Sequence, residues 1–148
     1  MGQGVYEYDA DQLALELGGI IIDSGFADGS FVKIEPDSMD FTYLLGTDGS
    51  VTRSKTKNQV LKVTISLMQS SYINDKLSAL RLLDKLAPNG AGTAPFTMRD
   101  LNGTTLVAGA HAWIAGIPVI ENDRAAKSRD WPIIVADGNV YIGSNPKL

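Results

Sequence analysis

His111 is the single imidazole of this 148-residue chain, so any His-dependent acid–base, nucleophile-activating or metal-binding chemistry has to be built around it alone. It falls in an apolar run beside Trp113, a setting that suits a structural imidazole better than a catalytic one. Serines and aspartates are numerous, but the chain has no Gly-x-Ser-x-Gly elbow, no phosphate-cradling Gly-Lys-Ser/Thr and no Gly-x-Gly-x-x-Gly between a strand and a helix. Two acidic clusters have the donor type for a hard cation or a general acid–base pair: Glu35, Asp37 and Asp40 around Pro36, and Glu121 with Asp123. Neither spacing matches a calcium-binding loop, and both read first as turns in which carboxylates cap backbone N–H groups. With no cysteine, disulfides, thiolate nucleophiles and Cys-type zinc sites are ruled out, and synthesis in a reducing cytoplasm suits the chain. The expectation is a protein with no cofactor, no metal and no catalytic site.

The elements that would position these groups are mostly strands. Asp-Gly pairs at 28–29, 48–49 and 137–138 and Asn-Gly pairs at 89–90 and 102–103 tolerate the positive φ of tight reversals. Between them run short alternating segments: Leu13 to Leu17 and Ile20 to Ile22 around Gly18-Gly19, then Phe31 to Glu35 and Phe41 to Leu45. In Val60 to Met68, Leu61, Val63, Ile65 and Leu67 share one face while Lys62, Thr64 and Ser66 share the other. The period then changes to helical: Ile73, Leu77, Leu80, Leu83 and Ala87 form a stripe, widened by Ala79 and Leu86, that Pro88-Asn89-Gly90 ends, with Ser71 or Asn74 as N-cap and Leu82 off the stripe. Further strands are expected at Phe96 to Leu101, Thr104 to Val107, Ala110 to Ile117, Trp131 to Ala136 and Asn139 to Ile142. Many strands and one helix predict a mainly β fold, a β-sandwich or small barrel with one flanking α-helix, in a single domain spanning 1–148.

Gly46 to Gln59 does not fit that core. Arg53, Lys55 and Lys57 alternate with Thr52, Ser54 and Thr56, so neither face of an extended segment supplies apolar surface to a core. A polar surface loop is the plainer reading; an arm projecting from the body, docking on an acidic surface of another copy, is the functional one. The polar face of Lys62, Thr64 and Ser66 is either the ordinary solvent side of a sheet or, in a ring-forming protein, the lining of a water-filled bore.

Charge narrows the choice of partners. With 13 basic and 17 acidic side chains the formal charge is −4, opposed to the basic patch that grips nucleic acid through its phosphates. No stretch reaches the roughly 18–20 apolar residues of a membrane span, and the first residues lack the basic-then-apolar pattern of an export signal; no membrane binding is expected.

Three runs are similar to a known family. Gly25-Phe26-Ala27-Asp28-Gly29-Ser30-Phe31, Gly46 through Ser54, and Leu67-Met68-Gln69-Ser70-Ser71 leading into Asn74 through Leu80, with Ala112-Trp113-Ile114 beyond, resemble the tail tube (inner tube) protein of contractile-tailed bacteriophages. The resemblance covers nearly the whole chain and is most specific in its middle third. It implies a structural virion protein located in the phage tail, assembled in the host bacterial cytoplasm, whose hexameric rings stack into a hollow tube inside a contractile sheath. Its partners would be other copies of itself, the tail sheath, tape measure, baseplate and tail terminator proteins, and phage DNA passing non-specifically through the lumen. The arm at about 46–59, with Asp48, Arg53, Lys55 and Lys57, would bridge subunits, and Lys62, Thr64 and Ser66 are the candidate lumen-facing residues. Positive charge at Arg53, Lys55, Lys57 and Lys62 departs from the acidic lining usual in such tubes, so these side chains are not all expected to face the bore.

Two alternatives stay open. The tube of a phage-like contractile bacteriocin has the same sequence signature. From a different class, a small β-barrel carbohydrate-binding module or hydrolase would use Tyr6, Tyr8, Tyr72 or Trp131 with the acidic loops, although core or interface packing is the commoner use of such aromatics.

Overall fold

In the computed structural model, which describes residues 4–148, the chain forms ten strands, one short 3₁₀ turn and one α-helix. The reading of the first residues as lacking an export signal lies partly outside the described residues. In chain order the strands are β1 (Leu13–Leu17), β2 (Ile20–Ile22), β3 (Val32–Pro36), β4 (Phe41–Leu45), β5 (Val51–Lys55), β6 (Leu61–Met68), β7 (Ala94–Asp100), β8 (Leu106–Ile114), β9 (Ser128–Val135) and β10 (Asn139–Tyr141), with α1 (Ile73–Leu86) between β6 and β7. All strand pairs are antiparallel. The main sheet runs β2-β1-β7-β8-β9-β6-β3, with β10 added to β8, and β4-β5 form a separate two-stranded sheet. The expected mainly β architecture with one flanking helix is the one observed among the described residues.

The core follows from the period of two. Leu61, Val63, Ile65 and Leu67 of β6 are buried, as are Trp131, Ile133 and Val135 of β9, in register with it across Ile65↔Trp131 and Val63↔Ile133. The sheet curls so that Val32 and Ile34 of one edge share a cavity with Leu13 and Met98 from the far half. Phe96, wholly buried, sits among Leu15, Leu17 and Ile22 in the same cluster. Helix α1 seats only its first half there: Ile73 and Leu77 are buried, whereas Leu82, Leu83 and Leu86 are exposed. The helical stripe predicts buried Leu83 and Leu86; the helix leaves the sheet before that turn, and the off-stripe Leu82 joins both in an exposed apolar patch. Neither Ser71 nor Asn74 is the N-cap: that position falls on Tyr72, whose side chain makes no capping bond, while Ser71 Oγ accepts from the Ile73 N–H at 3.2 Å and Asn74 Oδ1 accepts from Trp131 Nε1 at 2.8 Å.

Two expected strands, Thr104 to Val107 and Ala110 to Ile117, are one. β8 runs unbroken from Leu106 to Ile114 and absorbs the irregularity as a bulge against β7, where the register shifts between Ala94 and Phe96. Gly109 makes this possible: a Cβ there would overlap Val135 Cγ1 in the core. No helix of the described residues is long and apolar enough to cross a membrane.

Burial predicts sharply different outcomes along one helix. Leu77→Ala should lower unfolding free energy by about 2–5 kcal/mol, and Leu86→Ala by less than about 0.5 kcal/mol, as measured by urea denaturation; equal losses would contradict the half-seated helix.

Candidate assembly surface

The segment that could not join the core forms the hairpin β4-β5. Sequence assigns Phe41 to Leu45 to the body and starts the arm at Gly46; the structure instead pairs β4 with β5 along its whole length, Phe41↔Lys55 to Leu45↔Val51. The projection therefore spans both strands, Phe41–Leu45 and Val51–Lys55, and the stretch after Lys55 is the return to the body. The reason is register. Alone, β5 shows no apolar face, but pairing sets Phe41, Tyr43 and Leu45 beside Lys55, Arg53 and Val51 on one face, and Thr42 and Leu44 beside Ser54 and Thr52 on the other. The result is an amphipathic ribbon, all ten of whose strand residues are exposed, with Tyr43 76% and Leu44 74% accessible.

Its tip is held locally. Asp48 Oδ1 accepts from the Ser50 N–H at 3.0 Å and from Ser50 Oγ at 2.6 Å, and Gly49 supplies the positive φ of 87°. The Ser50 hydroxyl, aided by the Ser50 N–H, holds the Asp48 carboxyl below the usual carboxylate range. Arg53 lies over the Phe41 ring at 4.0 Å, a diagonal cation–π contact that keeps the guanidinium on the ribbon without neutralising it. Lys57 is exposed on the return segment.

The root is clamped to the sheet. Asn58 Nδ2 donates to Asp37 Oδ2 at 2.7 Å, Asn58 Oδ1 accepts from the Val60 N–H at 3.0 Å, and the Asp37 N–H donates to the Val60 carbonyl at 2.9 Å. The Thr56 N–H closes the hairpin on the Asp40 carbonyl at 2.9 Å. Asp37 thus leaves the acidic cluster suggested by sequence: the Asn58 amide, with Lys62 at 3.5 Å, keeps its carboxyl ionised below the usual range. Glu35 turns to Lys33 at 3.5 Å. Among the described residues no three carboxylate or imidazole groups converge as a metal site would require. The clamp is invisible in the sequence because Asp37 and Asn58 are 21 positions apart and only the pairing of β3 with β6 joins them. A groove of about 510 Å³, lined partly by Ile34, Pro36, Val60 and Val140, flanks the root.

Lys62, Thr64 and Ser66 lie together on the outward face of β6, as their spacing requires. Their neighbours are mixed: Lys33 and Glu35 on β3, and on β9 Asp130 beside Ser66 but Pro132 and Ile134 beside Thr64 and Lys62, with Trp113 beside Ile134. The polar face is a stripe bordering an apolar islet.

Of the aromatics available to a carbohydrate site, Trp131 is buried at 3% accessibility, whereas Tyr6, Tyr8 and Tyr72 are exposed. Asp137 grips His111 twice, Oδ1 accepting from its backbone N–H at 3.0 Å and Oδ2 lying 2.8 Å from Nδ1. An ionised carboxylate only accepts, so Nδ1 carries the proton. The His111 ring and backbone N–H together depress the Asp137 pKa. This clip fastens the β8 bulge to the β9–β10 turn.

Structural protein ORF10 of Pseudomonas phage KPP10 is 31% identical over 125 residues, covering 84% of this chain and 72% of that protein. The chain belongs to this family of phage structural proteins. No protein-family profile matches it. Among solved structures, the anti-feeding prophage cap, a tube terminating cap determined by cryo-EM, superposes with a TM-score of 0.59 over 93% of this chain and 92% of that one. At 10% identity that likeness establishes a shared fold.

The three aspartates with depressed pKa values, Asp37, Asp48 and Asp137, stabilise the fold above the ordinary carboxylate range, and that contribution is lost as pH falls through their native values. The thermal midpoint should therefore drop below about pH 4, and the triple Asn variant should show a shallower drop in a series of melts against pH.

Proposed function

We propose that this phage structural protein is a tail tube component, one domain whose copies close into hexameric rings and stack into the conduit for genome delivery inside a contractile sheath. The observation that carries the reading is the β4-β5 hairpin: a two-stranded ribbon is marginal in water by itself, and this one exposes Tyr43, Leu44, Leu45 and Val51 without covering them in its own chain. Further exposed apolar groups lie on Leu82 and Leu86 of α1, on Ile117, Val119 and Ile120, and on Tyr141 with Ile142, surface that contacts between copies would cover. Contacts between unlike surfaces of identical copies propagate head to tail, laterally into a ring and axially into a stack.

Charge supports the conduit. Six copies at −4 each present −24 per ring, so DNA in the bore meets repulsion and slides instead of binding. Lys62, Thr64 and Ser66 are the proposed wet lining, with Lys62 partly neutralised by Asp37. In this reading the protein is not an enzyme; its partners are its own copies and the sheath, tape measure, baseplate and terminator proteins, and it resides in the virion tail after assembly in the host cytoplasm. A contractile bacteriocin tube would be built from the same contacts.

A second reading is favoured by the solved structure it resembles, which is a tube terminating cap. A tube subunit needs two axial faces that extend the stack, whereas a cap needs one. Negative-stain microscopy of concentrated protein separates them: open-ended tubes support the tube, isolated rings the cap, and strictly monomeric material removes both. Replacing Arg53, Lys55 and Lys57 together by Asp should leave the melting curve close to the parent's while abolishing growth, and normal tubes from that variant would remove the hairpin from assembly.

A further inference from the structure

The hairpin's occupant is a second copy, since its own chain leaves both strands uncovered, and charge decides where on that copy it docks. From 41 to 57 the ribbon and its return carry Arg53, Lys55 and Lys57 against Asp48 alone, and none of the three cations has a carboxylate partner among the described residues. The receiving surface must offer apolar area and a surplus of acid. The exposed apolar stretch at 117–130 has three acids and three bases; α1 carries Asp75 and Asp84 against Lys76, Arg81 and Lys85; Asn139 to Ile142 have no charge. Ile20 to Asp28 has Asp23 and Asp28 without a base, but Ile21 is its one exposed large apolar group. The N-terminal segment offers more of both. From 4 to 11 it holds Glu7, Asp9 and Asp11 and no base, interleaved with Val5, Tyr6 and Tyr8, all three more than half exposed.

That segment is also pre-formed. It lies extended against the C-terminus, with a Tyr6↔Lys147 bridge, the Glu7 N–H donating to the Pro146 carbonyl at 3.1 Å and the Leu148 N–H to the Val5 carbonyl at 2.6 Å. Glu7 Oε2 accepts from Asn102 Nδ2 at 3.2 Å and Asp9 Oδ1 from the Asp11 N–H at 3.0 Å, so two carboxylates are oriented yet keep an oxygen free. Lys147 is the one basic side chain on the facing segment, and no ion pair joins it to the three acids among the described residues. A rigid receptor loses little entropy on docking.

We propose that the apolar–cationic face of one copy's β4-β5 hairpin docks on the Val5 to Asp11 segment of a second copy, aromatic against aromatic and Arg53, Lys55 and Lys57 against Glu7, Asp9 and Asp11. The proposal rests on the self-assembly reading and specifies its contact. Because the two surfaces differ, the contact is heterologous and repeats from copy to copy.

Reciprocal charge reversal tests it in the full-length chain, followed by sedimentation and negative-stain microscopy, with circular dichroism melts confirming that each variant is folded. R53E/K55E and E7K/D11K, the latter sparing the Asp9 cap, should each raise the concentration needed for half-assembly by roughly tenfold or more, and the two pairs combined should return it to within about threefold of the parent. The proposal is overturned if E7K/D11K assembles as the parent does, or if the combined variant is no better than the worse single pair; in both cases the parent still assembles, the self-assembly reading stands, and the hairpin's receptor lies elsewhere. A parent chain that never assembles overturns both.

Discussion

A two-stranded ribbon cannot bury its own faces, and everything distinctive about this protein follows from having one. β4 and β5 satisfy each other's backbone groups, yet their side chains meet no core within the chain. Apolar area left in water in this way is a standing driving force for association, on the order of 25 cal/mol for each Å² later covered. Alternation of lysine and arginine with serine and threonine on β5 keeps the ribbon soluble and discourages indiscriminate edge pairing. The cations oppose indiscriminate pairing, while the aromatic and aliphatic groups opposite them stay exposed to water.

Such a ribbon is useful only if it is aimed. The aim comes from the root, where Asn58 bridges Asp37 and the Val60 backbone at the point where β3 meets β6. β6 is itself held between β3 and β9 with every second side chain buried. A stiff central strand, a polar clamp at its start and an Asx-type turn at the tip make a lever whose direction is set by the core. Asp37, a carboxylate in an apparent acidic cluster, is therefore a structural group, held ionised by the Asn58 amide and the Lys62 ammonium.

Membership in a family of phage structural proteins agrees with a molecule whose polar groups are engaged in turns, clamps and clips. The His111–Asp137 pair, the arrangement most suggestive of chemistry, is bidentate through one backbone and one ring nitrogen, the geometry of a fastener between a bulge and a turn. The proposed DNA-repelling conduit and hairpin contact use the same division of charge: a net acidic body with an uncompensated surplus of cations on the hairpin and its return.

Periodicity alone determined most of the body. β6, the β1-β2 hairpin, the single helix and the two-face character of Lys62, Thr64 and Ser66 were legible because burial on one side imposes a period of two or 3.6 on the residues themselves. The mainly β class and the scarcity of catalytic groups followed from composition. What tertiary structure decided was every question of pairing. Whether Phe41 to Leu45 served the core or the arm depended on its partner, since an isolated strand does not reveal which face its neighbour completes. Thr104 to Ile117 read as two strands because a bulge breaks alternation without breaking the strand, and only the packing of Gly109 on Val135 distinguishes the cases. Leu83 and Leu86 are exposed where the stripe predicted burial, because helical phase fixes which side faces inward, not how far along its length the helix stays in contact. The Asp37–Asn58 clamp and the pairing of the two chain ends are long-range contacts, and the physical reason they escaped the sequence is that proximity across a sheet is set by register, which belongs to the fold and to no single segment.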